Sequence, residues 1–239
     1  MKALIDADIV AFRCSAVAEK DDLNIAIWQA NQLVERILRD VGADSHELFL
    51  SGSDNFRYNV YSEYKANRRD MVRPRHLEKV RENLLLEWSG RISYGNEADD
   101  EIGIAHMAGV DTIICSTDKD LDMLPGPHYN FVKLQHYDVS PLEADYNFWY
   151  QMLVGDAADN IKGCPGIGAA KAPLLLETND MAGSVLAAYL HAEHKKKPAF
   201  ESFQQAYNSF EMNGKVLWIW RVPNDMWSVP KELLHIDAS

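Results

Sequence analysis

Between Glu97 and Asp120 five of seven carboxylates stand in two short motifs at the ends of regular elements, and any fold of this chain has to accommodate them. The stretch opens Glu97-Ala98-Asp99-Asp100 and closes Ser116-Thr117-Asp118-Lys119-Asp120, with a helix-like segment and the apolar run Thr112-Ile113-Ile114-Cys115 between. Like charges brought together disfavour one another's ionisation. A fold that gathers these acids therefore calls for cations, and a hard, oxygen-rich site suits Mg²⁺ or Mn²⁺. The dipole at a helix start also favours acids, so Glu97, Asp99 and Asp100 have a structural explanation as well.

The rest of the chain alternates strands with helices. Lys2-Ala3-Leu4-Ile5 is short and apolar and is followed by Asp6, which predicts a buried strand with an acid at its carboxyl end. The 3.6-residue period over Leu23–Val41 predicts a helix closed by Gly42. Glu47–Ser51, Arg91–Tyr94, Asp111–Ser116 and Tyr129–Leu134 read as strands. His76–Trp88 reads as an amphipathic helix, and Glu97–Ala108 as a helix capped by Asn96. This pattern predicts an α/β fold with a mostly parallel sheet flanked by helices, whose ligands bind beyond the carboxyl ends of the strands. Asp6, Ser51 and Asp118 fall there. After residue 145 the pattern turns helical, so the expected domains are 1–145 and 146–239. Tyr146–Val154 and about Ala169–Glu177 read as helices around the turn Gly163-Cys164-Pro165-Gly166-Ile167-Gly168, and Phe203–Trp220 as a helix that buries Trp218 or Trp220. His191 and His194 share a helical spacing that fits an exposed face better than a metal site, and Lys195-Lys196-Lys197 reads as a loop charge run.

Composition narrows the function. No run of about 18 apolar residues predicts a membrane span. Asp6 comes too early for a signal peptide. The three cysteines, Cys14, Cys115 and Cys164, show no paired spacing, which fits a reduced, cytoplasmic protein. The net charge of −12 argues against nucleic acid until its distribution is considered. Residues 56–91 hold nine Lys/Arg against five Asp/Glu, a local +4, and residues 92–160 hold two against thirteen, a local −11. A basic segment beside an acidic one suits phosphate chemistry, one gripping the backbone and the other the cations that attack it.

The acid set is Asp6, Glu97, Asp99, Asp100, Asp118, Asp120, Asp156 and Asp159. Asp156 and Asp159 are three apart, on one face if the segment is helical. The physical use of such a set is a two-metal centre, in which many acids serve as acceptors for metal-bound water. Tyr61, Tyr64-Lys65-Ala66-Asn67-Arg68-Arg69, Arg73 and Arg75 interleave rings with cations, as single-stranded nucleic acid requires; a solvated helix face is the alternative. Arg13 lies two helical turns beyond Asp6. A glycine turn before a helix is a common structural device; its place directly after Asp156 and Asp159 also suits backbone amides that would fix duplex register.

These pieces, in this order from Ala3 to Leu176, resemble the 5′-nuclease family, which comprises the 5′-nuclease domain of bacterial DNA polymerase I, the flap endonucleases and the bacteriophage 5′-3′ exonucleases. The resemblance implies a PIN-like α/β domain, a helical arch, and a helix-hairpin-helix that binds duplex DNA with a K⁺ ion. It implies that Asp6, Glu97, Asp99 and Asp118 hold or flank a first metal and that Asp100, Asp120, Asp156 and Asp159 support a second. Asp6, Arg13, Lys65 and Asp118 would be catalytic, with Lys65 and Arg13 clamping the phosphate and Tyr64 stacking on the displaced nucleotide. Tyr64, Lys65, Arg68, Arg69, Gly163, Gly166, Gly168 and Lys171 would contact DNA. Cleavage would leave 5′-phosphates, on DNA ends, flaps or nicks and on RNA–DNA hybrids, by a monomer in the cytoplasm, the host's if the chain is phage-encoded. Two departures stand out. Ser51 occupies the place of a family aspartate, with Asp54 the nearest acid, and Lys171 comes one position late in the Gly-Ile-Gly-x-Lys pattern. A PIN-type ribonuclease, which generally lacks the glycine hairpin, and a non-catalytic binder of DNA ends are the rival readings.

Overall fold

The computed structural model describes residues 1–194 and 197–235, so Lys195 and Lys196 of the expected charge run lie outside the described residues. The strands are β1 (Lys2–Asp6), β2 (Ser45–Leu50), β3 (Arg91–Ile92), β4 (Thr112–Cys115), β5 (Gly126–Asn130), β6 (Gln135–Val139), β7 (Gly155–Asp156), β8 (Ile161–Lys162), β9 (Glu193–His194) and β10 (Lys197–Pro198). The helices are α1 (Ala7–Val17), α2 (Leu23–Val41), α3 (Arg57–Val60), α4 (Leu77–Glu87), α5 (Ala98–Ala108), α6 (Pro141–Val154), α7 (Ala172–Leu176), α8 (Met181–Leu190) and α9 (Phe203–Leu217). No described helix is long and apolar enough to cross a membrane.

Two compact units form. One takes residues 1–56, 71–141 and 219–225; the other takes 57–70, 142–218 and the described residues from 226 onward. The division expected after residue 145 thus falls at 141, and two short segments change sides. Hydrogen bonds explain both exchanges. Arg57, only 3% exposed, donates from Nε to the Val216 carbonyl at 2.9 Å and from Nη2 to the Trp218 carbonyl at 2.8 Å. It thereby satisfies carbonyls that the end of α9 leaves open. The Trp220 N–H is instead taken by Asp100 Oδ1 at 3.1 Å in the first unit.

The first unit is a six-stranded sheet in the order β3-β2-β1-β4-β5-β6. Every pair is parallel except β5–β6. The central strands are apolar on both faces because both faces are covered. Ala3, Ile5, Leu48, Leu50, Ile113 and Cys115 face a core shared with α1, α2 and α4. The alternate residues Leu4, Phe49 and Ile114 face a second core with Ala98 and Ile102 of α5 and with Ile219. Gly42 closes α2 with φ 64°, a left-handed conformation that favours glycine. The helix expected from Glu97 is capped by Glu97 itself rather than Asn96.

Other expectations change. The strand expected over Tyr129–Leu134 ends at Asn130, because Asn130 Oδ1 accepts the N–H groups of Val132 and Lys133 and turns the chain into β6. In the second unit, residues 57–70 hold one turn of α3 and a 3₁₀ turn at Ala66–Arg68. Asp156 and Asp159 share no helix. β7 and β8 form an antiparallel ladder, Gly155↔Lys162 and Asp156↔Ile161, and Gly155 and Asn160 take φ 73° and 59°, which breaks the helical path. Gly163 lets strands and helix meet closely, since a Cβ there would lie 2.3 Å from the Leu153 carbonyl. The helix expected over Ala169–Glu177 shortens to α7, α9 stops at Leu217, and the His191–His194 spacing is interrupted where α8 ends at Leu190.

His106 is buried in the first unit, its Nε2 donating to the Pro125 carbonyl at 2.9 Å and its Nδ1 accepting from Thr112 Oγ1 at 2.8 Å. Burial lowers its pKa, and that of His128. Below about pH 6.5 an unfolded chain takes up protons that these folded imidazoles refuse. Stability is therefore complete above that pH and falls as pH drops through it. Urea unfolding at pH 7.5 and 5.5 should show the loss, and His106→Gln should flatten the slope. A variant with the slope of the parent would refute the assignment.

Candidate active site

The sheet order reverses at β1: β2 lies on one side of it and β4 on the other. In open α/β sheets the crevice beyond the carboxyl ends at such a point is where ligands bind. The parallel register Ile5↔Cys115 puts the next residues, Asp6 and Ser116, side by side at that edge. Asp6 is 3% exposed and caps α1, accepting the Ile9 N–H at Oδ1. Ser116 Oγ donates to Asp6 Oδ2 at 2.8 Å and accepts the Asp118 N–H at 3.0 Å. One hydroxyl thus joins the acids that follow the two central strands. Asp118 Oδ1 accepts the Asp120 N–H at 2.9 Å, which starts a short 3₁₀ turn. A hollow of about 220 Å³ opens beside Asp118, lined among others by Lys119, Lys133, Gln135 and Tyr137.

Ser51 anchors a third acid at the same edge. Its Oγ accepts the Ala98 N–H at 3.0 Å, its N–H donates to Asp8 Oδ2 at 2.7 Å, and its carbonyl accepts from Arg81 at 2.6 Å. Arg81 is also ion-paired to Asp8. This network fixes the start of α5 and so places Glu97 and the half-buried Asp99 at the end of the sheet. A serine where a ligand was expected thus has a structural use, while Asp54 is exposed.

Asp100 departs from its expected part in metal binding. It is fully buried, and its oxygens accept the N–H groups of Glu97 at 3.0 Å and Trp220 at 3.1 Å. It completes the capping box of α5. Among the described residues no three His, Cys, Asp or Glu side chains converge closely enough to hold an ion directly. The hard carboxylate oxygens at the sheet edge suit a divalent cation that keeps part of its water shell.

In the second unit Asp159 organises the basic segment. Its Oδ2 accepts from Tyr64 Oη at 2.8 Å and lies 3.6 Å from Lys65 Nζ, and its Oδ1 pairs with Arg68. Lys65 N–H donates to the Asp159 carbonyl at 2.9 Å, and Arg68 Nε to the Ala158 carbonyl at 3.0 Å. Two expectations change. Tyr64 is 2% exposed, so its ring packs inside the unit instead of presenting a stacking face. Asp159 is engaged by cations of its own chain rather than left as an open ligand. Asp156 is buried and accepts the Ala158 N–H at 3.1 Å. Arg69 is exposed and bonds the Ser62 carbonyl at 3.2 Å. Gly166 and Gly168 are exposed in the loop, where Lys171 Nζ donates to the Gly166 carbonyl at 3.1 Å.

Arg13 is exposed on α1 and faces α2; two turns separate it from Asp6, about 10 Å along the axis. The residues that sequence reasoning left out of the site are Ser116 and the β5–β6 side chains Lys133 and Tyr137. Serine directly after a buried strand was the available signal for the first. The alternation Gln135–Val139 was the signal for the hairpin.

No family model matches the chain. It is 30% identical over 167 residues to the thermostable DNA polymerase I of Thermus aquaticus, covering 64% of this chain and 20% of the polymerase. It is 30% identical over 148 residues to a 5′-3′ exonuclease of Buchnera aphidicola, covering 54% and 51%. It is 27% identical over 181 residues to the flap endonuclease Xni of Shewanella baltica, covering 69% of each. The chain thus spans between a fifth and a half of the first two relatives' own lengths. In fold it is similar to the T5 5′-exonuclease solved with zinc, with TM-score 0.70 at 18% identity over 91% of this chain and 90% of that one. The catalytic core of Rad2 in complex with DNA gives TM-score 0.53 at 13% identity over 98% and 84%. The two solved structures are matched in fold alone.

Asp159→Asn keeps the shape and removes the charge that holds Lys65 and Arg68. It should cost about 1–3 kcal/mol in urea unfolding and speed tryptic cleavage after Lys65 and Arg68. Cleavage at the parent rate would show that Asp159 does not organise the segment.

Proposed function

We propose that this chain, like the 5′-nucleases it resembles, is a metal-dependent 5′-3′ exonuclease and flap endonuclease that hydrolyses DNA to 5′-phosphate products. The observation that carries the reading is the Ser116 hydroxyl joining Asp6 to Asp118 at the point where the sheet order reverses. Asp6 and Asp118 would hold the first of two divalent cations, Mg²⁺ or Mn²⁺, with Glu97 and Asp99 orienting its waters. Asp120 would support the second. When bound, such ions lower the pKa of water and neutralise charge on a phosphodiester.

The chain's own residues do the positioning. Ser51 and Arg81 keep Glu97 at the sheet edge. Lys65, Arg68 and Arg69 form a basic segment suited to a phosphate backbone, with Asp159 setting its conformation. The loop from Gly163 to Lys171 would meet duplex backbone, with K⁺ as its ion. The substrates are DNA 5′ ends, flaps and nicks, with RNA–DNA hybrids as a second class. The active form is a monomer in the cytoplasm.

The test is digestion of end-labelled duplexes, flaps, hybrids and RNA with Mg²⁺, Mn²⁺ or chelator. Cleavage from 5′ ends that needs metal and leaves 5′-phosphates is expected. Asp118→Asn should lower turnover by more than about a hundredfold without changing thermal unfolding. Unchanged turnover in that variant would defeat the proposal, and cleavage confined to RNA would favour a PIN-type ribonuclease.

A further inference from the structure

Within the first unit, a groove of about 350 Å³ runs between α1 and α2, lined by Arg13, Trp28, Gln29, Gln32, Arg36 and Arg39 beside apolar residues. Its size falls in the range of small-ligand sites, about 300–1,000 Å³. In a chain of net charge −12 the lining holds three arginines and no carboxylate.

Of the acids on α2, Glu35 accepts at 2.9 Å from Nε2 of Gln32, a lining residue of the groove, and Asp40 accepts from Tyr129 Oη at 2.7 Å. Arg36 is anchored by one bond, Nη2 to the Phe131 carbonyl at 3.0 Å, while its buried Nε has no hydrogen-bond partner. The floor registers the same field. The charges of Arg13 and Arg36 pull the Cys14 thiol down, although burial prevails and raises it to about 11. Trp28 stands at the rim, 62% exposed. An indole in water beside guanidinium groups is the arrangement that stacks an unpaired base while cations take its phosphate.

We propose that the α1–α2 groove binds one nucleotide unit, with its phosphate on Arg13, Arg36 and Arg39 and its base on Trp28. The unit comes from a single strand or from a free 5′-mononucleotide. That the strand is a substrate rests on the nuclease reading; the binding itself does not.

The test uses the full chain in EDTA, so that no hydrolysis interferes. Anisotropy of a labelled oligothymidylate is followed across a salt series, with 5′-dTMP and inorganic phosphate as competitors. Trp28→Ala should weaken strand binding about fivefold or more, and Trp28→Tyr should restore it. Arg39→Gln should reduce the slope of log K against log salt by about 0.7. Thermal unfolding should match the parent in all three variants. Competition by dTMP that is lost in Trp28→Ala would identify the free nucleotide as a source; its absence would assign the strand, and both support the groove. Unchanged affinity and salt slope in Trp28→Ala and Arg39→Gln would overturn it. A parent chain that binds in this way but cleaves nothing would defeat the nuclease reading and leave the groove standing.

Discussion

The pairing of β1 with β4 is the constraint on which the first unit's site depends. Two parallel strands end level with one another, so the residues after them must share an edge. Where the β1–β4 register ends, the Ser116 hydroxyl bridges Asp6 and the Asp118 amide. Carboxylates placed in this way are held by local bonds rather than by one another. That arrangement avoids the electrostatic cost of pressing bare acids together.

The same economy governs the supporting residues. Ser51 joins β2 to the start of α5 through its hydroxyl, and Arg81 and Asp8 brace it from behind. Asp100 looks like a ligand in the sequence, yet it spends its oxygens on backbone amides. In the second unit Asp159 performs a comparable service for Tyr64, Lys65 and Arg68. An acid-rich chain thus uses part of its negative charge as internal scaffolding.

Charge distribution tells more than net charge. The −12 total conceals a basic segment at residues 57–70 and an arginine-lined groove on α1 and α2. Association with a polyanion depends on such local fields, because salt screens charges beyond about 8–10 Å. Distant acids do little to oppose a nearby guanidinium group.

Strand positions, the helix Leu23–Val41 and the acids at strand ends were legible from residue order, because apolar runs and 3.6-residue spacing are local properties. β6 was missed because an asparagine turn, rather than a glycine or proline, ends β5. The shared face of Asp156 and Asp159 was misread, because Gly155 and Asn160, both at positive φ, interrupt the helix. Tyr64 and Asp159 are 95 positions apart, and Asp100 and Trp220 are 120 apart. Residue order told which side chains carry charge and at which element ends they stand. Folding settled which partners each of those charges meets, because only long-range packing brings them within 3 Å or so.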